Sequence, residues 1–300
     1  MKKILISGLL FCLITKNAFS VFETGMTDAD IQGMAKAVSA AKIENAFMLN
    51  PGNINRDNAA YFSFSGHLGS RNITDLVEGG GSIYSKIILN KIMAVAAGID
   101  YTFFNYSGGY PGASGLLWNE IQTGAVFNIN LRDVFAIGIL GKYYNYSTDA
   151  EVYGEKYGAE HGGDLGAGFK ANIKIFSMGA SFNNILSLNK QTSRIINAGI
   201  ALDIRSRINP AVDFSIDIDK LCYDINPGLQ IFMLRNMIIL RTGLLGGDLF
   251  NNPALSFGAT LRFHRYHFSY GGSYNFKLES IGNHYMSLGL LFNKIDRGKK

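Results

Sequence analysis

The stretch from Asn226 to Asn275 reads NPGLQIFMLRNMIILRTGLLGGDLFNNPALSFGATLRFHRYHFSYGGSYN. It holds four segments of alternating apolar and polar residues, separated by two very short polar breaks and one longer one, which is the pattern of a β-meander. A tight turn at Arg235-Asn236 sets Met233 opposite Ile238, Ile231 opposite Leu240 and Leu229 opposite Thr242, while Gln230 falls opposite Arg241 on the reverse face. The same operation at His264-Arg265 sets Leu261 opposite Phe268 and Ala259 opposite Tyr270, with Arg262 beside His267 and Thr260 beside Ser269 behind them. In both hairpins one face is apolar. The other carries Gly, Ser, Thr and occasional Arg, where the water-exposed face of a soluble sandwich would be rich in Lys, Glu and Asp. Small residues on a polar face suit the inside of a closed barrel.

Toward the C-terminus, HYMSLGLLF (His284 to Phe292) places Met286, Leu288, Leu290 and Phe292 on one face and ends in an aromatic. It resembles the C-terminal assembly signal of outer-membrane proteins, although a basic tail, residues 293–300, follows it. The partners this implies are outer-membrane lipid and the outer-membrane assembly machinery.

Toward the N-terminus the alternation repeats. About fourteen segments of barrel-spanning length lie between Ala59 and Phe292, predicting an all-β, transmembrane antiparallel barrel over residues 59–292. Their connections alternate between short, as at Asn90-Lys91, Lys174 and Arg235-Asn236, and long, as in 105–119 and 145–164. That alternation is the habit of outer-membrane barrels, and an even strand count puts both chain ends on the short-turn side. Outward stripes read Met93, Val95, Ala97, Ile99, Tyr101 and Phe103 on one strand, Phe135, Ile137, Ile139 and Tyr143 on another, and Val212, Phe214, Ile216 and Ile218 on a third. Facing in are Asp100, Lys142, Lys170, Asp213, Asp217, Arg241 and Arg262, the candidate lumen residues, with Glu120, Asp203 and Ser215. Lys86 points outward after a two-residue turn and inward after a three-residue one. Inward is preferred, because lysine facing lipid costs a few kcal/mol.

Residues 1–20 form a secretory signal peptide, with Lys2 and Lys3, an apolar run from Ile4 to Ile14 and the small-x-small site Ala18-Phe19-Ser20. Cys12 raises a lipoprotein reading, against which Phe11 is too bulky for the preceding position. Residues 21–58 contain the one helical stretch, capped by Thr27, with Asp28 and Asp30 in its first turn and Ile31, Met34, Ala35 and Val38 on one face. It leads into ENAFMLNPGNIN, where Asn50-Pro51-Gly52 forces a turn. The segment reads either as a simple arm or as a plug entering the lumen, with Ile31, Met34, Val38, Phe47, Met48 and Leu49 lining an apolar path.

Composition agrees with a membrane barrel. Of 300 residues, 17% are charged, against roughly one quarter in soluble domains, while glycine numbers 35 and proline only 5. No apolar run is long enough to cross a bilayer as a helix. Cys222 is alone in the mature chain, so no disulfide forms within it. The formal charge of +5 comes mostly from the leader and the tail, and no nucleic-acid patch accompanies it. His67, His161 and His284 lack metal-ligand spacing, so neither metal nor cofactor is expected. His267 and Ser269 share a strand face, an arrangement that barrel lipases use for catalysis. Tyr270-Gly271 stands where those enzymes carry Asn-Gly, and no third orienting group is identifiable, so an enzyme is not expected.

The phrase ENAFMLNPGNIN resembles the Asn-Pro-Ala/Gly element that precedes the barrel in the long-chain fatty-acid transporter (FadL-like) superfamily, including its PorV/PorQ-like branch. The matching residues are Asn50, Pro51 and Gly52. GLQIFMLRNMIILRTGLLGG and SFGATLRFHRYHFSYGGSY resemble that branch's closing strands, with Leu240, Arg241 and Gly243 matching. The resemblance implies passive uptake of a small hydrophobic or amphiphilic ligand across the outer membrane. The PorV-like branch implies instead a non-transporting barrel that anchors or hands over secreted proteins. A general porin is the third reading.

Overall fold

The structure, a computed structural model, describes residues 28–70, 76–106, 115–131, 134–147, 151–152, 155–156, 160–187, 192–247, 252–276 and 280–292. The signal peptide, Thr27 and the basic tail lie outside the described residues. Fourteen strands form one closed barrel: β1 (Ala60–Ser70), β2 (Leu76–Ile88), β3 (Met93–Tyr106), β4 (Gly115–Leu131), β5 (Phe135–Ser147), β6 (Glu160–Ile173), β7 (Phe176–Ser187), β8 (Ile195–Leu202), β9 (Ile208–Asp217), β10 (Cys222–Met233), β11 (Ile238–Gly247), β12 (Asn252–Phe263), β13 (Tyr266–Asn275) and β14 (Ser280–Phe292). Each pairs antiparallel with its sequence neighbours, and β1 closes on β14. A small hairpin, Glu151–Val152 with Glu155–Lys156, lies in the connection between β5 and β6.

The registers drawn from alternation are the registers observed. Met233 pairs with Ile238 and Gln230 with Arg241; Leu261 pairs with Phe268 and Thr260 with Ser269. Side chains alternate with a period of two, so a one-residue slip would move every apolar group of a strand to the wrong face. The outward stripes are in place: Ile99, Ile137, Ile139, Val212 and Phe214 are all exposed. So are Phe64, Leu68, Phe127, Leu165, Leu240, Leu261 and Phe268, spread around the wall. A surface this apolar is matched by hydrocarbon, not water. Lys86 points inward, set there by the pairing of Ile88 with Ala94, which leaves an odd number of residues in the turn.

Two expectations need correction. The helix spans only Ala29–Gly33, hereafter α1, and its N-cap is Asp28, whose carboxylate accepts a hydrogen bond from Ile31 N at 2.9 Å. Ala35 and Lys36 have φ of 53° and 61°, which ends the helix before Val38. Strand β10 begins at Cys222 and carries Asn226-Pro227 within it. Pro227 sits within the strand opposite Val212. Proline is admitted to a ladder only where its missing N–H is not required.

Residues 28–55, the inner segment, pack against the inward-facing side of the wall, with Lys42 exposed. They bury two apolar clusters: Ile31, Met34, Val38 and Ile43 with Ala201 and Ala211 of the wall, and Phe47, Met48 and Ile54 with Tyr84, Val126 and Leu140. Of the six residues expected to line an apolar path, Ile31, Met34, Phe47 and Met48 are 0% accessible and Val38 is 1%, while Leu49 is half-buried. They fill space rather than line it.

Candidate functional site

The inner segment touches all fourteen strands. Starting at Asp28 it runs along the barrel wall from β14 backwards. Ala29 N donates to Ser287 Oγ of β14 at 3.3 Å, Asp30 reaches His267 of β13 at 3.1 Å, and Gln32 O accepts from Ser256 Oγ of β12 at 2.6 Å. Asp30 also meets Arg241 of β11 at 2.8 Å, and Met34 lies against Gly228 of β10. The Asp213 carboxylate of β9 accepts from Val38 N at 3.0 Å and Ser39 N at 2.7 Å, and Ser39 lies over Gly199 of β8. Leu49 O accepts from Asn183 Nδ2 of β7 at 3.0 Å. The Asn50-Pro51-Gly52 element then fixes the turn. Asn50 Nδ2 donates to Ser39 O at 2.8 Å and to Phe169 O of β6 at 3.0 Å, while Asn50 Oδ1 accepts from Gly52 N at 2.9 Å. Pro51 packs on Gly138 of β5 and accepts from Asn128 Nδ2 of β4 at 2.9 Å. Met48 reaches Gly98 of β3, Glu44 binds Lys86 of β2, and Asn45 Nδ2 donates to Ser63 Oγ of β1 at 3.2 Å.

A band of glycines makes this approach possible. Gly98, Gly138, Gly168, Gly179, Gly228, Gly258 and Gly271 all face inward, and the space a Cβ would take at each is occupied by the inner segment. At Gly228 a Cβ would lie 2.6 Å from Met34 O; at Gly258 it would lie 3.0 Å from Gly33 Cα. At Gly138 it would collide with Pro51 O, and at Gly179 with Ser39 O. Glycines in a strand interior often mark such close backbone approach. Alternation identified these residues as small and inward; that they form one seat emerges only when the ladders put Gly168 opposite Gly138 and Gly228 opposite Gly243.

The seat is also charged. Glu44 lies 2.5 Å from Lys86 Nζ and 3.6 Å from Arg262, and both partners of the closer pair are almost wholly buried. Lys86 Nζ donates as well to Asn55 O. Asp30 faces Arg241 and His267, while Thr260 Oγ1 bridges, donating to Asp30 at 3.0 Å and accepting from Arg241 Nη1 at 2.5 Å. Buried ions persist when paired and hydrogen-bonded in this way. Burial pushes the Asp30 carboxyl up, but Arg241 and His267 outweigh it and hold the group well below the usual carboxylate range. Asp28 goes the other way. Burial, with Asp30 adding to it, raises its pKa to about 6, against the Ile31 amide and Asn45, which lower it.

Of the lumen candidates, Asp213, Arg241 and Arg262 touch the inner segment, and Lys170 donates to Asn53 Oδ1 at 2.8 Å. Asp100 is buried and inward, and accepts from Thr102 Oγ1 at 3.2 Å. Lys142 lies across from Asp164 of β6, beside a wall cavity of about 590 Å³. Asp217 is taken up by the turn between β9 and β10, accepting from the amides of Asp219 and Lys220. Sequence reading passed over Asp30 and Glu44 as ion-pair partners, since their cations stand far along the chain.

His267 does meet Ser269, at 2.8 Å, and a carboxylate, Asp30, at 3.1 Å. Both contacts fall on the same Nε2 atom, and Nδ1 has no hydrogen-bond partner. A catalytic triad needs the hydroxyl and the carboxylate on opposite ring nitrogens. The group is an anchor for the inner segment.

Wall and interior together define a fourteen-strand barrel with an N-terminal segment packed against its inward face. No protein-family model matches the sequence, and no curated protein matches it. Among solved structures, the fold is similar to that of the Ralstonia pickettii toluene transporter TbuX, with a TM-score of 0.69 at 11% identity, covering 91% of this chain and 100% of that one. The Pseudomonas putida toluene transporter TodX gives 0.67 at 9% identity, over 89% and 99% of the two chains. A Pseudomonas aeruginosa FadL homologue gives 0.61 at 9%, over 89% and 98%. The chain shares the FadL-like barrel fold.

Proposed function

We propose that this protein is a bacterial outer-membrane barrel, plugged by residues 21–58, that passes small hydrophobic or amphiphilic compounds. The observation that carries the reading is the contact of one short segment with every strand of the wall. A fourteen-strand barrel has more bore than its own lumen side chains fill. Here the inner segment supplies the missing volume. The apolar belt supports membrane insertion, and the likeness in fold to toluene transporters supports a hydrophobic cargo.

Deleting residues 21–53 while keeping the signal peptide tests the plug. The expected result is an inserted barrel with new, stable ion conductance in planar bilayers. An intact protein that conducts as well as the deletion sinks the plug and favours a general porin; silence from both points to a barrel closed by other means.

The closed packing of Ile31, Met34, Phe47 and Met48 favours a second reading, a non-transporting barrel serving as anchor or shuttle for secreted proteins. Mass spectrometry of the purified barrel separates the two. Retained lipid or apolar ligand supports transport, and its absence together with co-purifying protein supports the anchor.

A further inference from the structure

The end of the barrel that carries the short turns is basic. Lys91, Lys174, Arg205, Arg207, Arg235 and Arg265 all lie in these connections or at their edges. Three of them come together. A groove of about 570 Å³ between the β8–β9 and β10–β11 turns is lined by Arg205, Arg207 and Arg235 on its polar side and by Phe232, Met233 and Leu234 on its apolar side. The turns are tied by Phe232 N, which donates to Arg207 O at 2.7 Å. The arginines are exposed, and their guanidinium groups have no side-chain partner among the described residues. Asp203, the carboxylate of the first turn, is occupied by Ser206 N at 2.8 Å. The contrast is Arg194, toward the other end, an exposed arginine that folds back onto Asp219 at 2.5 Å.

Both turns are held in a left-handed backbone conformation. Arg205 and Ser206 have φ of 53° and 54°, and Leu234, Arg235 and Asn236 have 46°, 57° and 70°. Positive φ is what tight hairpin turns require, and Lys174 and His264 show it as well; here it fixes the backbone on which Arg205 and Arg235 stand.

We propose that this groove binds the head group of an anionic phospholipid in the leaflet on the short-turn side. Arginine's planar fork matches phosphate oxygens, and three unpaired forks around one hollow are complementary to a phosphodiester. The apolar lining selects a lipid over a free anion. Met233 is 44% and Leu234 65% accessible, and they lie at the foot of the outward face that continues through Ile208 and Leu240, so an acyl chain leaving the groove runs straight onto the hydrocarbon-facing wall. The inference rests on the barrel spanning a membrane, and it is independent of what the barrel transports.

The test uses the full-length mature protein, purified, delipidated and held in nonionic detergent, with dioctanoyl phosphatidylglycerol as probe and native mass spectrometry as readout. Heat-modifiable gel migration is recorded first, so that a failure to form the barrel is seen separately from a failure to bind. One tightly held phosphatidylglycerol per barrel is expected. At about 1 kcal/mol per basic residue, the triple variant R205Q/R207Q/R235Q binds roughly a hundredfold more weakly and Arg235→Gln alone about fivefold more weakly. The triple lysine variant keeps most of the binding, as it keeps the charge. Inorganic phosphate does not displace the lipid. Equal binding by the triple variant and the wild type overturns the site. If the triple variant does not fold, equal binding by Arg235→Gln overturns it instead. Displacement by phosphate as readily as by lipid overturns the lipid assignment in favour of a soluble anion.

Discussion

Replacing Gly138, Gly228 and Gly271 by alanine sets three methyl groups into space that the inner segment occupies. At Gly228 the new carbon would stand 2.6 Å from Met34 O and 3.0 Å from Ala37 Cβ; at Gly271 it would stand 3.1 Å from Ala29 C and closer still to Ala29 O. At Gly138 it would meet Pro51 O and stand 2.9 Å from Pro51 Cβ. The obstructing atoms are mostly backbone, so they cannot swing aside as a flexible side chain would. Overpacking of this kind costs about 1–3 kcal/mol per site. The gain of about 0.5–1 kcal/mol for alanine over glycine within a strand is the same in the seated and unseated forms and cancels. The sites are on separate strands and share no side-chain partner, so their effects should sum. The triple variant should therefore lower the ratio of seated to unseated segment at least about a hundredfold, since the three clashes together cost at least about 3 kcal/mol and each 1.4 kcal/mol is a factor of ten. The control is Gly141→Ala with Gly66→Ala, both facing outward, where the nearest atoms to a new Cβ are 3.9 Å and 3.8 Å away. Limited proteolysis of inserted barrels reports the seat directly: faster cleavage within residues 28–58 is expected for the inward triple variant, with the control unchanged. Planar-bilayer conductance should rise in parallel. If the inward variant is as protected as wild type, or the outward pair is equally cleaved, the glycine band is not a seat.

Lys86→Met leaves Glu44 buried against an apolar side chain and should cost about 3–5 kcal/mol, most of it recovered in Lys86→Met/Glu44→Leu, as read by urea unfolding of the inserted barrel. Because the pKa of Asp28 is raised from 3.8 to about 6, its favourable contribution is full below 3.8 and is lost as pH rises through about 6. Protease protection of residues 28–58 should therefore fall between about pH 4 and pH 7, and Asp28→Asn should make that profile shallower without abolishing it, since the Asp213 carboxylate holds Val38 and Ser39 as well. Arginine at Ile139 or Phe214, both outward, should cost about 2–4 kcal/mol near the bilayer midplane, and much less at inward Ser215; equal costs would mean the faces are assigned the wrong way round.

The wall could be read from the chain because its rule is local. Alternation with a period of two marks which side chains share a face, and a turn of known parity then fixes the partner of every residue in the hairpin, as with Gln230 and Arg241. Turn parity left Lys86 open, and the cost of a lipid-facing lysine sent it inward before any partner for it was visible. The interior could not be read this way. Asp30 finds Arg241 and His267, and Asp213 finds the amides of Val38 and Ser39, across separations of more than a hundred and seventy residues. Nothing in the neighbourhood of either residue records those pairings. Thr27 looked like the helix cap, yet Asp28 holds the Ile31 amide, and the helix stops where Ala35 and Lys36 take positive φ as the segment follows the curve of the wall. Alternation along the chain therefore determined which residues face the bore, while closure of the barrel decided which of them meet, because only the closed wall brings strands distant in sequence around one segment.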